Sequence, residues 1–216
     1  TVEFRMEGRG EYAYSASLRG FSKQISDPKS WGRPYVRSRH YYHSPLTYRG
    51  RSIGVRSTSP VQNVEIGQRI EVRVDIYDYV ANKNYFIIEE PIPAGMMFVR
   101  GSLSGNFDHH EVRASKLVMY FRPRRSISDF HYELVGYATG EYRILPTVIQ
   151  DALHPERMRI GEPARLTVLA PDEKSQDPYK MNRSEHYALG KRYFDDGLYD
   201  EALPHVRHLF DYNRQR

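Results

Sequence analysis

The sequence predicts a mainly β protein, an antiparallel β-sandwich followed by a small C-terminal αα-hairpin. Three observations carry this. Between Glu65 and Leu169 the chain is a succession of short segments with period-two alternation, separated by Gly and Pro turns, the pattern of half-buried strands in a sandwich and not of βαβ units. Tyrosine dominates the aromatics, with 18 Tyr against 9 Phe and a single Trp; its apolar body and polar tip suit strand faces and interfaces. After residue 180 the period changes to that of a helix.

The elements follow in order. Residues 1–22 predict a hairpin, with Val2, Phe4 and Met6 alternating before a Gly8-Arg9-Gly10 turn and Tyr12, Tyr14, Ala16 and Leu18 after it. A chain that opens on a strand is expected to be a segment of a longer protein, preceded there by another domain. A loop of Ser, Pro, Gly and Arg runs to about Pro34, and Val36–Tyr42 reads as a strand. Ile70–Tyr77 alternates strictly, one face aliphatic and the other charged. Tyr85–Glu90 is a shorter, more buried run, stopped by Pro91-Ile92-Pro93-Ala94-Gly95. Leu117–Phe121, Phe130–Tyr137, Gly140–Val148 and Ala164–Leu169 complete the strands, with a turn expected near Gln150–His154. The sandwich is expected over 23–170 and a polar linker over 171–183. Over 184–216, helices are expected at Ser184–Phe194 and Asp200–Tyr212, separated by Asp195-Asp196-Gly197. Asp200 is placed as N-cap, and Pro204 in the first turn, where a missing N–H is tolerated.

Composition excludes several classes. The chain has 216 residues, 39% of them hydrophobic, enough for one domain and a small second element. With no Cys there is no disulfide, thiolate metal site or Cys nucleophile. No apolar run approaches the ~20 residues that span a bilayer. The net charge is +5, but the basic residues are uneven. From Pro28 to Val64 there is no Asp or Glu, while Lys29, Arg33, Arg37, Arg39, Arg49, Arg51 and Arg56 interleave with Trp31, Tyr35, Tyr41, Tyr42 and Tyr48. Such a stretch is what a polyanion-binding surface uses; a Tyr-rich sandwich with outward Arg has the same composition.

Chemistry-bearing clusters are few. Asp108-His109-His110-Glu111 offers metal-ligand types, but neighbours on a strand face opposite ways and cannot readily chelate one ion. The same geometry separates Glu89 from Glu90, whereas glycosidase carboxylates converge across a cleft; a structural role beside Arg or at the Pro91 turn is expected. His186, His205 and His208 fall on the helical hairpin as solvated positions. No nucleophile elbow, phosphate loop or dinucleotide fingerprint is present. Asn182-Arg183-Ser184 is a formal glycosylation triplet. No cofactor, metal or catalytic activity is expected.

Two resemblances add to this reading. Leu189, Gly190, Tyr193, Gly197, Tyr199, Ala202 and Val206 resemble the spacing of a tetratricopeptide repeat, in which small residues let two helices cross and larger ones fill the groove. Tyr85–Gly95, with the turn Glu89, Glu90, Pro91, Pro93, Ala94 and Gly95, resembles the last macroglobulin-like domain of bacterial alpha-2-macroglobulin proteins. The strands at Leu117–Phe121 and Phe130–Tyr137 and the corner at Gly140–Pro146 are similar to that family in their order. The family's Met-Tyr-x-Pro appears only as Ala152-Leu153-His154-Pro155, and its thioester motif is absent. The resemblance implies a macroglobulin/immunoglobulin-like sandwich in a periplasmic or cell-envelope, protease-trapping protein. Its partners would be other domains of the same parent chain, a thioester-type domain above all, with proteases or envelope proteins beyond them. The alternatives are a repeat-type interaction adaptor and a polyanion-binding module through 28–64.

Overall fold

The structure, a computed structural model, describes residues 34–77, 84–122 and 129–214. The hairpin expected over 1–22, the loop to Arg33 and Trp31 lie outside them. The described strands, in chain order, are β1 (Tyr35–His43), β2 (Thr47–Tyr48), β3 (Arg51–Ser52), β4 (Asn63–Val64), β5 (Arg69–Tyr77), β6 (Phe86–Pro91) and β7 (Met96–Phe98). They continue with β8 (His109–Arg113), β9 (Lys116–Phe121), β10 (Phe130–Gly136), β11 (Gly140–Ile144), β12 (Val148–Asp151), β13 (Met158–Ile160) and β14 (Ala164–Val168). Helices α1 (Arg183–Asp195) and α2 (Tyr199–Arg214) follow.

Two antiparallel sheets, ordered β1-β5-β10-β7 and β13-β12-β6-β9-β8, share one hydrophobic core. Alternation along β5 sends Ile70, Val72, Val74 and Ile76 inward, joined by Phe130, Tyr132 and Leu134 of β10. The second sheet contributes Phe86 and Ile88 of β6, Leu117, Met119 and Phe121 of β9 and Ile149 of β12. This is a mainly β, macroglobulin/immunoglobulin-like sandwich with a C-terminal helical hairpin. The opposite face of β5 is covered too. Glu71 is buried because Arg73 pairs with it at 2.5 Å, while the Arg73 guanidinium lies 4.4 Å over the Tyr42 ring.

Gly140–Val148, expected as one strand, is divided. β11 pairs with β14 in a third sheet of order β11-β14-β4, whereas β12 joins β6 and β13. Leu145, Pro146 and Thr147 between them belong to no strand; Pro146 has no N–H to give a ladder, so the chain turns there and changes sheets. The turn expected near Gln150–His154 is present: Asp151 Oδ1 accepts from the Leu153 and His154 amides at 2.9 and 3.1 Å.

The segment expected as a linker is held against the sandwich. The Asp177 carboxylate accepts from the amides of Gln62 and Asn63 at 2.7 and 2.8 Å and from Asn63 Nδ2 at 3.0 Å. Burial alone would raise its pKa, but these donors outweigh it and hold the group below its usual value. His43 meets the Asp177 carbonyl through Nε2 at 3.0 Å, Lys180 N donates to Ser59 Oγ at 3.0 Å, and Tyr179 packs edge-on against the His43 ring. Asn182 then caps α1, accepting from Glu185 N at 2.9 Å while the Glu185 carboxylate accepts from Asn182 N at 2.8 Å, a complete capping box.

The helix boundaries correct two expectations. α2 begins at Tyr199, so Asp200 lies inside the first turn and is not the N-cap; its charge there still complements the helix dipole. Pro204 falls in the second turn and removes the N–H that would bond to the Asp200 carbonyl. At the seam, Leu189, Gly190 and Ala202 are buried. A Cβ on Gly190 would stand 2.9 Å from His205 Cβ, so glycine permits the close crossing. Gly197 takes φ +75 in the connecting turn. Tyr199 and Val206 do not pack in the seam: they are 63% and 52% exposed, their positions turned about 40–80° around α2 from Ala202 and Leu209 toward solvent.

The three hairpin histidines meet. His186 Nδ1 is 3.0 Å from His205 Nδ1, and the His208 ring stacks on that of His186 at 4.0 Å. Burial first, then the neighbouring imidazoles, lowers the pKa of His186 and His205 below 6.5. The folded hairpin therefore binds fewer protons than the unfolded one, so its stabilisation is complete above pH 6.5 and declines as pH falls toward the depressed values. Amide protection factors in α1 and α2, after correction for the intrinsic slowing of exchange in acid, are expected to fall between about pH 7.5 and 5, and His186→Leu is expected to flatten that fall.

Candidate domain-docking groove

The turn after β6 is built from backbone bonds that its sequence dictates. Ile92 N donates to Ser115 O at 2.9 Å, and Met96 N to Pro93 O at 3.2 Å. The Gly95 carbonyl accepts from the amides of Tyr137 and Ala138 at 2.9 and 3.2 Å. Gly95 has φ +79, and a Cβ there would fall within the Tyr142 ring, so both conformation and space require glycine. Tyr142 is fixed in turn by its hydroxyl, which donates to the carbonyls of Ala138 and Thr139 at 3.1 and 3.0 Å.

This turn stands opposite the β11–β12 corner, and a groove of about 520 Å³ lies between them. Its floor and walls are Pro91, Ile92, Pro93, Leu145, Pro146 and Ile160, and Leu145 is 58% exposed. The rim is polar: Lys116 Nζ pairs with Glu89 Oε1 at 2.6 Å, and Arg143 stands nearby. An exposed apolar cleft with a charged rim is the composition of a protein contact surface.

Beneath the groove, Glu90 points the other way and is fully buried. Its Oε1 accepts from Arg39 Nη1 at 3.2 Å and from the Tyr132 hydroxyl at 2.8 Å, and its Oε2 from Thr147 Oγ1 at 2.5 Å. Burial, the largest influence, raises the Glu90 pKa above its ordinary value; Arg39 and the hydroxyl donors oppose it. Burial likewise pushes Tyr132 well up. Arg39 also donates to the carbonyls of Leu145 and Glu162 at 2.9 and 3.2 Å. One guanidinium thus holds both the buried carboxylate and the backbone that presents Leu145 to solvent.

The structure places Glu89, Glu90 and Pro91 at the end of β6, with the two carboxylates on opposite faces of the strand, and Pro93, Ala94 and Gly95 in the turn that follows. Sequence reasoning missed Arg39 of β1, Leu145 and Thr147 of the β11–β12 corner and Ile160 of β13, which reach the site from elsewhere in the chain. The one available signal was Arg39 in a strand that has no acidic residue of its own.

Elsewhere, His109 and His110 sit at the start of β8, their rings against Tyr120 and Phe107. Asp108 accepts from Arg122, and Glu111 from Arg113 and Tyr120. Among the described residues no group of three His, Asp or Glu side chains is disposed to hold a metal. Within the basic stretch, Arg39 pairs with Glu90, Arg49 with Asp196 and Arg56 with Glu71, and of these the Arg39 pair is buried while Arg49 and Arg56 lie at the surface.

Comparison with protein families matches residues 46–156 to the bacterial alpha-2-macroglobulin MG10 domain, just over half of the chain. The chain belongs to this MG10 family. Among solved structures, native alpha-2-macroglobulin from Escherichia coli, spanning domain MG7 to the C-terminus, aligns at 14% identity and a TM-score of 0.50, over 65% of this chain and 24% of that one. Escherichia coli alpha-2-macroglobulin activated by porcine elastase aligns at 14% identity and a TM-score of 0.51, over 70% of this chain and 14% of that one. At that identity the likeness is one of fold, and this MG10 chain spans about a quarter or less of either. The curated proteins gave no match. In the MG10 sandwich the groove and the Glu90 cluster both fall inside the matched residues, except for Arg39 and the β13 residue Ile160.

Removing both partners of the buried pair should cost less than the two single losses added together. Arg39→Ala is expected to lower stability by about 3–5 kcal/mol, and Arg39→Ala with Glu90→Leu to lose about 1–3 kcal/mol less than the two single changes summed, as read from urea midpoints. Gly95→Ala is expected to cost about 2–4 kcal/mol through backbone strain and overlap with Tyr142. Gly54→Ala, at φ +79 with open space around it, should lose only the backbone part, about 1–2 kcal/mol.

Proposed function

We propose that this chain is a non-catalytic structural and binding part of a larger bacterial alpha-2-macroglobulin-like protein, acting in the cell envelope by contact with neighbouring domains of the same parent chain. The sandwich over 23–170 and the repeat-like hairpin over 184–216 are its two parts. The observation that carries the reading is the apolar groove between the Pro91–Ala94 turn and the Leu145–Pro146 corner, held open by Arg39 and lying mostly within the MG10 match. Its occupant is a neighbouring domain, the thioester-type domain in the first instance, and the interaction is surface burial with no bond made or broken. The pairing of Arg39, Arg49 and Arg56 with carboxylates of this chain counts against a polyanion role. No helix among the described residues is long and apolar enough to cross a membrane, which is compatible with a part that docks on other domains.

The test is binding between this chain and the thioester-type domain encoded with it, measured by titration calorimetry. Leu145→Glu is expected to weaken the association at least about tenfold, as for truncation of a central apolar contact, with unchanged circular dichroism. A coding region with no such domain, or binding indifferent to Leu145, overturns the reading.

A further inference from the structure

The outer face of α2 carries a second surface, separate from the groove. Tyr199, Leu203, Val206 and Phe210 are 63%, 56%, 52% and 64% exposed. Spaced i, i+4, i+7, i+11, they form a stripe within about 60° of the helix circumference, the d and a positions of a two-helix seam. Phe194 of α1 meets Tyr199 edge-on at 5.4 Å and widens the patch. None of it is turned toward the sandwich, which meets the hairpin elsewhere: Tyr48 donates to Asp196 at 2.6 Å and packs on Tyr193.

We propose that a second copy of this chain covers this stripe, α2 packing antiparallel on α2 about a two-fold axis. The charges beside the stripe choose this occupant and this direction. Asp200 and Arg207 occupy the flanking e positions, both exposed and with no ion pair among the described residues. In an antiparallel pair the e positions of the two helices face each other. Pairing Tyr199 with Phe210 and Leu203 with Val206 of the second copy sets Asp200 against Arg207 of that copy, twice by symmetry. A parallel pair would instead set Arg207 beside Ala202 and align the helix dipoles unfavourably. The stripe is thus self-complementary in one arrangement only.

The interface is small, so association is expected in the micromolar range, about 1–100 μM. The experiment is sedimentation velocity on the whole chain, whose monomer is 25.4 kDa. Wild type should move from monomer toward dimer over that range. Leu203→Glu should stay monomeric, with helicity unchanged by circular dichroism. Asp200→Arg alone and Arg207→Asp alone should each weaken dimerisation at least about tenfold, by creating like-charge pairs, and the double exchange should restore it. The exchange reads the register directly and does not depend on how Leu203→Glu folds. A wild-type chain monomeric throughout, a dimer indifferent to Leu203→Glu, or a double exchange that fails to recover would overturn the proposal. In the first case the stripe would fall to a further helical pair or another protein.

Discussion

A carboxylate with no exposed surface lies where the two sheets and the β11–β12 corner meet, and the surrounding structure is arranged to keep it satisfied. Glu90 comes from one sheet, Arg39 and Tyr132 from the other, and Thr147 from the corner, so this single group ties together three parts distant in sequence. A buried charge is tolerated only when it is paired and hydrogen-bonded. Any displacement of one sheet against the other would strand it. The cluster is therefore better described as fixing the relative placement of the layers than as adding net stability.

The groove follows from that constraint. Arg39, once committed to Glu90, has further donors, and these hold the carbonyls of Leu145 and Glu162. The corner backbone is thereby pinned from inside, with Leu145 outward and apolar. Across from it, the Tyr142 ring over Gly95 fixes the Pro91–Gly95 turn. A surface held open by a rigid interior has little ordering left to do when a partner arrives, which suits docking between domains. The hairpin is mounted differently. Its first helix is tied down through the Asn182 capping box, the Tyr179–Glu185 hydrogen bond and Tyr48–Asp196, while α2 turns its apolar stripe to solvent.

Local pattern did not find β8 or β12, but it was enough to find β1, β5, β6, β9, β10, β11 and β14, the two helices and the special turn at Pro91–Gly95. These rest on local causes: period-two burial, a change of period, and the conformations that Pro and Gly impose. It also determined that Glu89 and Glu90 diverge, since adjacent strand residues must. Short strands such as β4, β7 and β13 escaped it, because two or three residues carry no readable period. The division at Leu145–Thr147 escaped it as well, since an apolar run looks the same whether it continues in one sheet or crosses to another. Tertiary structure alone decided which arginine meets Glu90, that a polar linker becomes a strap around Asp177, and that the three hairpin histidines meet. The physical reason is common to all of these. Each depends on a contact between segments far apart in the chain, and such contacts are chosen by the packing of the whole, which no local pattern encodes.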